Sequence, residues 1–169
     1  MILIGVGSNL ASAQYATPIE TAAAAVVALP SIGVQVLARS AWYLSEPVPV
    51  SDQPWFVNAV ASIATALDPS TLLDRLLALE TRFGRIRSLP NADRTLDLDL
   101  LDYEGSRLES KRLVLPHPRL HQRRFVLAPL CELAPEWRHP ILGLTGAALL
   151  ARLPAGQPIY PMDHQPGSG

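Results

Sequence analysis

RTLDLDLL, residues 94–101, alternates leucine with aspartate, and the arrangement of the rest of the chain turns on it. Read as a strand, it puts Leu96, Leu98 and Leu100 on one face and Asp97 and Asp99 on the other, because successive side chains point to opposite faces. The two carboxylates then stand ~6.6 Å apart on a stiff element. They repel by ~2–3 kcal/mol at an effective dielectric of about 20. A solvated edge strand tolerates such a pair. So does a site where a cation lies between the carboxylates. Mg²⁺ is commonly held by one or two carboxylates together with substrate phosphates and water, and it polarises phosphoryl oxygens for displacement.

The flanks of this strand carry arginine. Arg82, Arg85, Arg87 and Arg94 crowd the segment before it, and Arg112, Arg119, Arg123 and Arg124 form a second group after it. Planar guanidinium groups match phosphate oxygens, and phosphoryl transfer consists largely of positioning and charge stabilisation. A salt-bridged surface loop would use the same residues. The formal net charge of −1 gives no electrostatic footprint for nucleic acid, so local arginine clusters in a near-neutral chain point to a small anionic ligand.

Outward from residue 94, the chain reads as one α+β domain. Residues 2–7 (ILIGVG) predict a buried strand leaving through a glycine-marked loop. Thr17-Pro18-Ile19-Glu20 is a capping box opening an alanine-rich helix to about residue 29. Residues 32–44 predict a second strand and 56–67 a third. Between them lies a loop, 45–55, with three prolines. Asp68-Pro69 starts a helix over 69–83 whose leucines form a stripe at helical spacing. After the 94–101 strand come a hairpin-like segment (103–116), an apolar helix over 124–134 containing Pro129, and a short helix over 145–153. The order β-α-β-β-α-β is the ferredoxin-like split-βαβ plan: an antiparallel sheet with helices packed on it, and extra helices at the C-terminus. Residues 1–160 are expected to form this single domain and 161–169 a flexible tail. The hydrophobic fraction of 49% and charged fraction of 17% fit a globular chain. One cysteine, Cys131, excludes an internal disulfide and favours a reducing compartment. No run reaches a membrane span and no signal peptide is evident, so the expectation is cytoplasmic.

Other residues invite a chemical reading beside a plain one. Glu80 falls inside the leucine stripe of its helix. It sits at the end of the stripe and reaches out to solvent, pairs with a structural arginine, or stands at the mouth of a cleft. GVGSNL (5–10) has two glycines but Leu10 where a dinucleotide fingerprint needs a third, and no Walker P-loop exists anywhere. Gly5 and Gly7 therefore read as a tight exit from a strand. His117, stiffened between Pro116 and Pro118, is a turn histidine or, with Arg123, a phosphate contact. Pro47, Val48, Phe56 and Phe125 could line an apolar pocket for a flat ring, with Asn58 offering amide groups to its edge. The same aromatics serve equally well in a core.

These residues line up with a known family. The chain resembles the 6-hydroxymethyl-7,8-dihydropterin pyrophosphokinases of folate biosynthesis. The resemblance runs through GSNL (7–10), DQPWFVNAV (52–60), LETRFGRIR (79–87), RTLDLDLL (94–101), LPH (115–117), RRFVLAPL (123–130) and ELAPEWRHP (132–140). It implies transfer of the β,γ-pyrophosphoryl group of ATP to the pterin hydroxymethyl, with two Mg²⁺ ions and AMP as leaving group. By position, Asp97 and Asp99 correspond to the metal-bridging carboxylates, and Arg85 and Arg94 to arginines that stabilise the transferring charge. Glu80, Arg87, Arg112, His117 and Arg123 correspond to nucleotide contacts. Ser45, Pro47, Val48, Phe56, Asn58 and Phe125 correspond to the lining of the pterin pocket. The resemblance further implies a monomer with small-molecule substrates, no nucleic acid and no membrane partner. Many members carry R-W-G-P-R before the metal strand. Here the loop reads LPNADR (89–94), shorter and without that tryptophan, and Leu77 stands where some members place glutamine. Without the resemblance, two other classes stay open: another Mg²⁺-dependent phosphoryl or nucleotidyl transferase on this fold, or a non-catalytic ferredoxin-like binding module.

Overall fold

Strand β1 (Ile2–Ser8) lies inside the sheet and feeds both of its faces. Ile2, Ile4 and Val6 join one apolar cluster, while Leu3 joins another on the opposite side. The computed structural model describes residues 1–86 and 94–162. Among them, β1 is flanked antiparallel by β5 (Asp97–Tyr103) on one side and β4 (Phe56–Ala64) on the other. β4 in turn pairs with β2 (Gln35–Arg39) and β3 (Tyr43–Ser45), and β8 (Ile159–Pro161) adds outside β3. Taking β2 and β3 as one interrupted strand, the order β5-β1-β4-β3 with helices after β1 and β4 is the split-βαβ arrangement expected from the sequence. A two-stranded hairpin, β6 (Leu108–Glu109) with β7 (Val114–Leu115), stands where the 103–116 segment predicted one.

Helix α1 (Pro18–Ala28) starts at the capping box: Glu20 N–H donates to Thr17 Oγ1, and Thr17 N–H donates to Glu20 Oε2. Helix α2 (Pro69–Arg82) is capped by Asp68, which accepts from Thr71 N–H at 2.9 Å. The inner faces of both helices cover one side of the sheet, with Ala22, Ala25, Leu72, Leu76 and Leu79 meeting Ile4, Leu98 and Leu100. On the other side, α3 (Arg124–Leu133) and α4 (Gly146–Arg152) bury Leu127, Leu130 and Leu149 against Leu3, Val60 and Leu101. β5 serves both clusters because its side chains alternate, Leu98 and Leu100 entering one and Leu101 the other. Its register against β1 shifts between Leu3 and Ile4, and this bulge at Leu101 turns Asp102 to the same side as Leu101, where it accepts from Trp137 Nε1 at 2.7 Å.

Two features depart from the sequence expectation. The strand predicted over 32–44 is broken, because the Ser40 hydroxyl takes over local backbone bonding: it accepts from Val60 N–H and donates to Ala41 C=O. Glu132 on α3 then receives Ala41 N–H at 2.8 Å and the Tyr43 hydroxyl at 2.6 Å, so a helix carboxylate fastens the interruption. Further on, strand pairing continues past residue 160. β8 runs to Pro161, and Met162 N–H donates to Trp42 C=O at 2.8 Å. Two prolines in PIYP disguise this strand, yet proline is tolerated at a sheet edge. The remainder of the expected tail, residues 163–169, lies outside the described residues.

Candidate active site

Register alone brings the main site residues into a row. Asp97 pairs with Gly7, Gly7 with Asn58, and Asn58 with Tyr43. Residues paired across antiparallel strands share a face, so Asp97 and Asn58 look out from the same face on either side of a residue with no side chain. Gly5 likewise pairs with Asp99. Gly5 and Gly7 therefore lie within β1 opposite the two aspartates, and not at a strand exit as the sequence suggested. A Cβ at Gly7 would meet Asn58 Oδ1 at 3.0 Å. The glycine keeps open the gap between carboxylate and amide.

Around the aspartates the charges are tightly interlocked. Asp97 accepts from Arg85 Nη1 through Oδ1 at 2.7 Å and from Arg94 Nη1 through Oδ2 at 2.6 Å. Asp99 faces Arg123 Nη1 at 3.4 Å. Burial, followed by the nearby Asp97 charge, pushes the Asp99 carboxyl up to about 7. Glu80, only 2% exposed, accepts from Arg85 Nη1 and from Leu98 N–H, both at 2.8 Å. Of its sequence readings, only the one that takes it out to solvent fails: Glu80 pairs with an arginine of the site and also stands on the wall of a cavity. Glu80 thereby ties the end of α2 to the backbone between the two aspartates.

Two cavities meet here. The larger, about 530 Å³, is lined by Ser45, Pro47, Val48, Phe56, Asn58 and Phe125, the six positions that the resemblance assigns to the pterin pocket. The smaller, about 410 Å³, is lined by Glu80, Arg85, Asp99, Arg112 and His117, and also by Leu77. Arg94, Asp97 and Arg123 line both. Arg112 reaches the second cavity from a half-exposed position, paired with Asp74. His117 is held by its own N–H donating to Leu101 C=O at 2.8 Å, while its Nδ1 accepts from Arg119 N–H. Burial, with the Arg123 charge beside it, lowers its pKa to about 4. Its ring is neutral at pH 7. Arg87 and the loop positions 89–93, where the family's tryptophan was noted as missing, lie outside the described residues.

The remaining structural residues of the site were not singled out from the sequence. Ser8 Oγ donates to Thr95 C=O at 2.6 Å. Asn9 accepts Arg94 N–H on Oδ1 at 2.7 Å and donates its own N–H to Arg94 C=O at 3.0 Å. Its Nδ2 donates to Gln53 Oε1 and Pro54 C=O. These two residues stand in the GSNL motif, whose placement between a glycine-bearing strand and a loop was the available signal. In the larger cavity, Asn58 Nδ2 donates to Ser45 Oγ at 2.6 Å, which fixes the amide orientation. Gln157, from the segment before β8, also lines that cavity.

The model of the 7,8-dihydro-6-hydroxymethylpterin-pyrophosphokinase (HPPK) family matches residues 3–135, which include every site residue above except Gln157. The chain belongs to the HPPK family. A 2-amino-4-hydroxy-6-hydroxymethyldihydropteridine pyrophosphokinase from Methylorubrum extorquens is 42% identical over 135 residues, covering 79% of this chain and 82% of the relative. One from Pseudomonas aeruginosa is 42% identical over 139 residues, covering 82% and 83%. The fold agrees with wild-type HPPK-DHPS of Plasmodium falciparum at a TM-score of 0.62 and 14% identity, over 89% of this chain and 44% of that one. The HPPK match ends at residue 135, so α4 and β8 lie beyond it.

Proposed function

We propose that the two joined cavities carry out the HPPK reaction, with hydroxymethyl-dihydropterin in the larger one and ATP in the smaller. The reaction transfers pyrophosphate from ATP to the pterin alcohol in folate biosynthesis. The alcohol oxygen bonds to the β-phosphorus and the bond from that phosphorus to the α,β-bridging oxygen breaks. AMP leaves and the hydroxyl proton is released. The observation that carries the assignment is the seam: Asp97, Arg94 and Arg123 line both cavities, so a group passing from one to the other passes these three residues.

The donor set fits Mg²⁺. Two carboxylates share one strand face, each partly exposed to the cavities, and the described residues contain no group of three or more His, Cys, Asp or Glu side chains placed to enclose a metal ion by themselves. A hard cation that completes its shell with substrate oxygens and water suits such a pair. Asp97 and Asp99 would hold two ions, which when bound neutralise phosphoryl oxygens. Arg85, Arg94 and Arg123 supply fixed positive charge to the transferring group. Neutral His117 and Arg112 contact the nucleotide, as does Arg87 by the family correspondence. Leu73 and Leu77 give the smaller cavity an apolar wall for the base. Asn58, fixed by Ser45, presents its amide to the pterin edge, and Phe56 and Phe125 supply apolar surface to its ring.

By the family correspondence the chain acts as a monomer. No helix among the described residues is long and apolar enough to cross a membrane. A single free cysteine and an ATP-dependent reaction support a cytoplasmic setting. Incubation with Mg²⁺, ATP and hydroxymethyl-dihydropterin should yield AMP and the pterin diphosphate in equal amounts. Release of ADP, or no turnover, would refute the assignment.

A further inference from the structure

Much of the wall of the larger cavity belongs to residues 45–53, an irregular stretch leaving the three-residue strand β3. Prolines at 47 and 49 remove backbone donors from it, and Pro54 follows at its end. It is fastened at its far end by Asn9, through Gln53 and Pro54. At the near end the fastening comes from the C-terminal segment. Gln157 Nε2 donates to Glu46 C=O at 2.8 Å, and Glu46 N–H donates to Pro158 C=O at 3.2 Å. From there the segment follows β3 residue by residue, with Ile159 opposite Ser45, Tyr160 opposite Leu44 and Pro161 opposite Tyr43. The Tyr160 ring stacks on Trp55, with centroids 6.3 Å apart and planes 6° from parallel.

We propose that Gln157 is a positioning residue for the acceptor substrate, holding the 45–53 wall through the Glu46 carbonyl so that the cavity keeps its shape around the pterin. It lies beyond the span matched by the family model, on a strap that closes the open edge of the strand carrying Ser45. Ser45 fixes Asn58, so displacement of the strap loosens both the wall and the amide. The smaller cavity has no lining residue from 45–53 or from the strap. The effect is therefore confined to one substrate.

The inference rests on the larger cavity being the pterin site, and the test separates the two. Steady-state kinetics of the full chain are compared for wild type, Gln157→Ala, Gln157→Glu and Asn58→Ala. Glutamate keeps the size of glutamine but cannot donate to the Glu46 carbonyl. Both Gln157 variants should raise KM for hydroxymethyl-dihydropterin by about 3–10-fold, the loss of one hydrogen bond. KM for ATP and kcat should stay within about twofold. A normal pterin KM in the Gln157 variants beside a raised one in Asn58→Ala would overturn the inference and leave the cavity assignment intact. A normal pterin KM in all three would remove the assignment and the inference together. Equal rises in both KM values, with a lowered melting temperature, would mark Gln157 as merely structural and overturn it too.

Discussion

Asn9 grips the backbone of Arg94 on both of its polar groups, accepting the Arg94 N–H on Oδ1 at 2.7 Å and donating its own N–H to the Arg94 carbonyl at 3.0 Å. The residue that aims a guanidinium at the seam is thus set by a side chain on the neighbouring strand's exit. The same asparagine holds the far end of the acceptor-cavity loop. Asn9→Ala should lower kcat by about 10–100-fold through misplacement of Arg94. It should also cost about 1–3 kcal/mol of stability from unpaired polar groups. Single-turnover kinetics and urea unfolding check the two effects separately.

Asp97 accepts from two guanidinium groups, and its role at the seam is electrostatic. Asp97→Asn keeps the shape and one acceptor oxygen. The expected outcome is a loss of activity of about 10³-fold or more, with a stability loss of only about 1–3 kcal/mol from the guanidinium left without an acceptor. A fall in melting temperature large enough to account for the lost activity would count against a chemical role.

Glu80 is almost fully enclosed and compensates both Arg85 and the Leu98 amide. Removing one member of a buried ion pair is more harmful than never having had the pair. Glu80→Ala should therefore destabilise by about 3–5 kcal/mol, with Glu80→Gln milder because it still accepts a hydrogen bond. Denaturant midpoints of the two variants give the comparison.

His117 titrates in the fold near 4, against an ordinary value of 6.5, because burial and Arg123 disfavour its charged form. Above pH 6.5 the ring is neutral in folded and unfolded chains alike. As pH falls from 6.5 to 4, only the unfolded chain takes up the proton, so stability declines through that window by about 2–3 kcal/mol. His117→Asn should flatten that part of the profile. Urea midpoints at pH 7.5, 5.5 and 4.5 for both proteins would show it, and parallel curves would contradict it.

Gly7 has no positive φ to justify it; its necessity lies in what stands across from it. A methyl group there would press on Asn58 Oδ1 at 3.0 Å, and Asn58 is already held by Ser45. Gly7→Ala should raise the pterin KM by about 3–10-fold, the equivalent of one displaced hydrogen bond. Nucleotide binding, followed by calorimetric titration with an ATP analogue, should change little.

The split-βαβ order was readable because its decisive elements are local. Thr17-Pro18-Ile19-Glu20 and Asp68-Pro69 announce helix starts, and β1, β4 and β5 carry their apolar residues in short, well-bounded runs. The break between β2 and β3 was not readable. It depends on partners distant in sequence: Val60, whose N–H the Ser40 hydroxyl accepts, and Glu132, some ninety residues away, which takes the Ala41 amide. β8 escaped notice because a strand of three residues with a terminal proline has no periodicity to detect. In the site, Asp97, Asp99 and the arginines declared themselves by charge. Asn58 and the ring-pocket residues were grouped by type and then found on one cavity. Asn9, Gly7 and Gln157 act through backbone carbonyls, amides or the lack of a side chain, none of which leaves a mark in composition.

The alternation in β5 has a consequence for how this strand can change over generations. Substituting one aliphatic residue for another at 96, 98 or 100 alters packing locally. Adding or removing a single residue between 96 and 100 reverses the faces of every residue on one side of the change, carrying an aspartate into the leucine layer or a leucine into the seam. The bulge near Leu101 is the one place where the strand already accommodates an odd residue. Descendants of this chain should therefore vary the spelling of the strand freely while keeping its length unchanged.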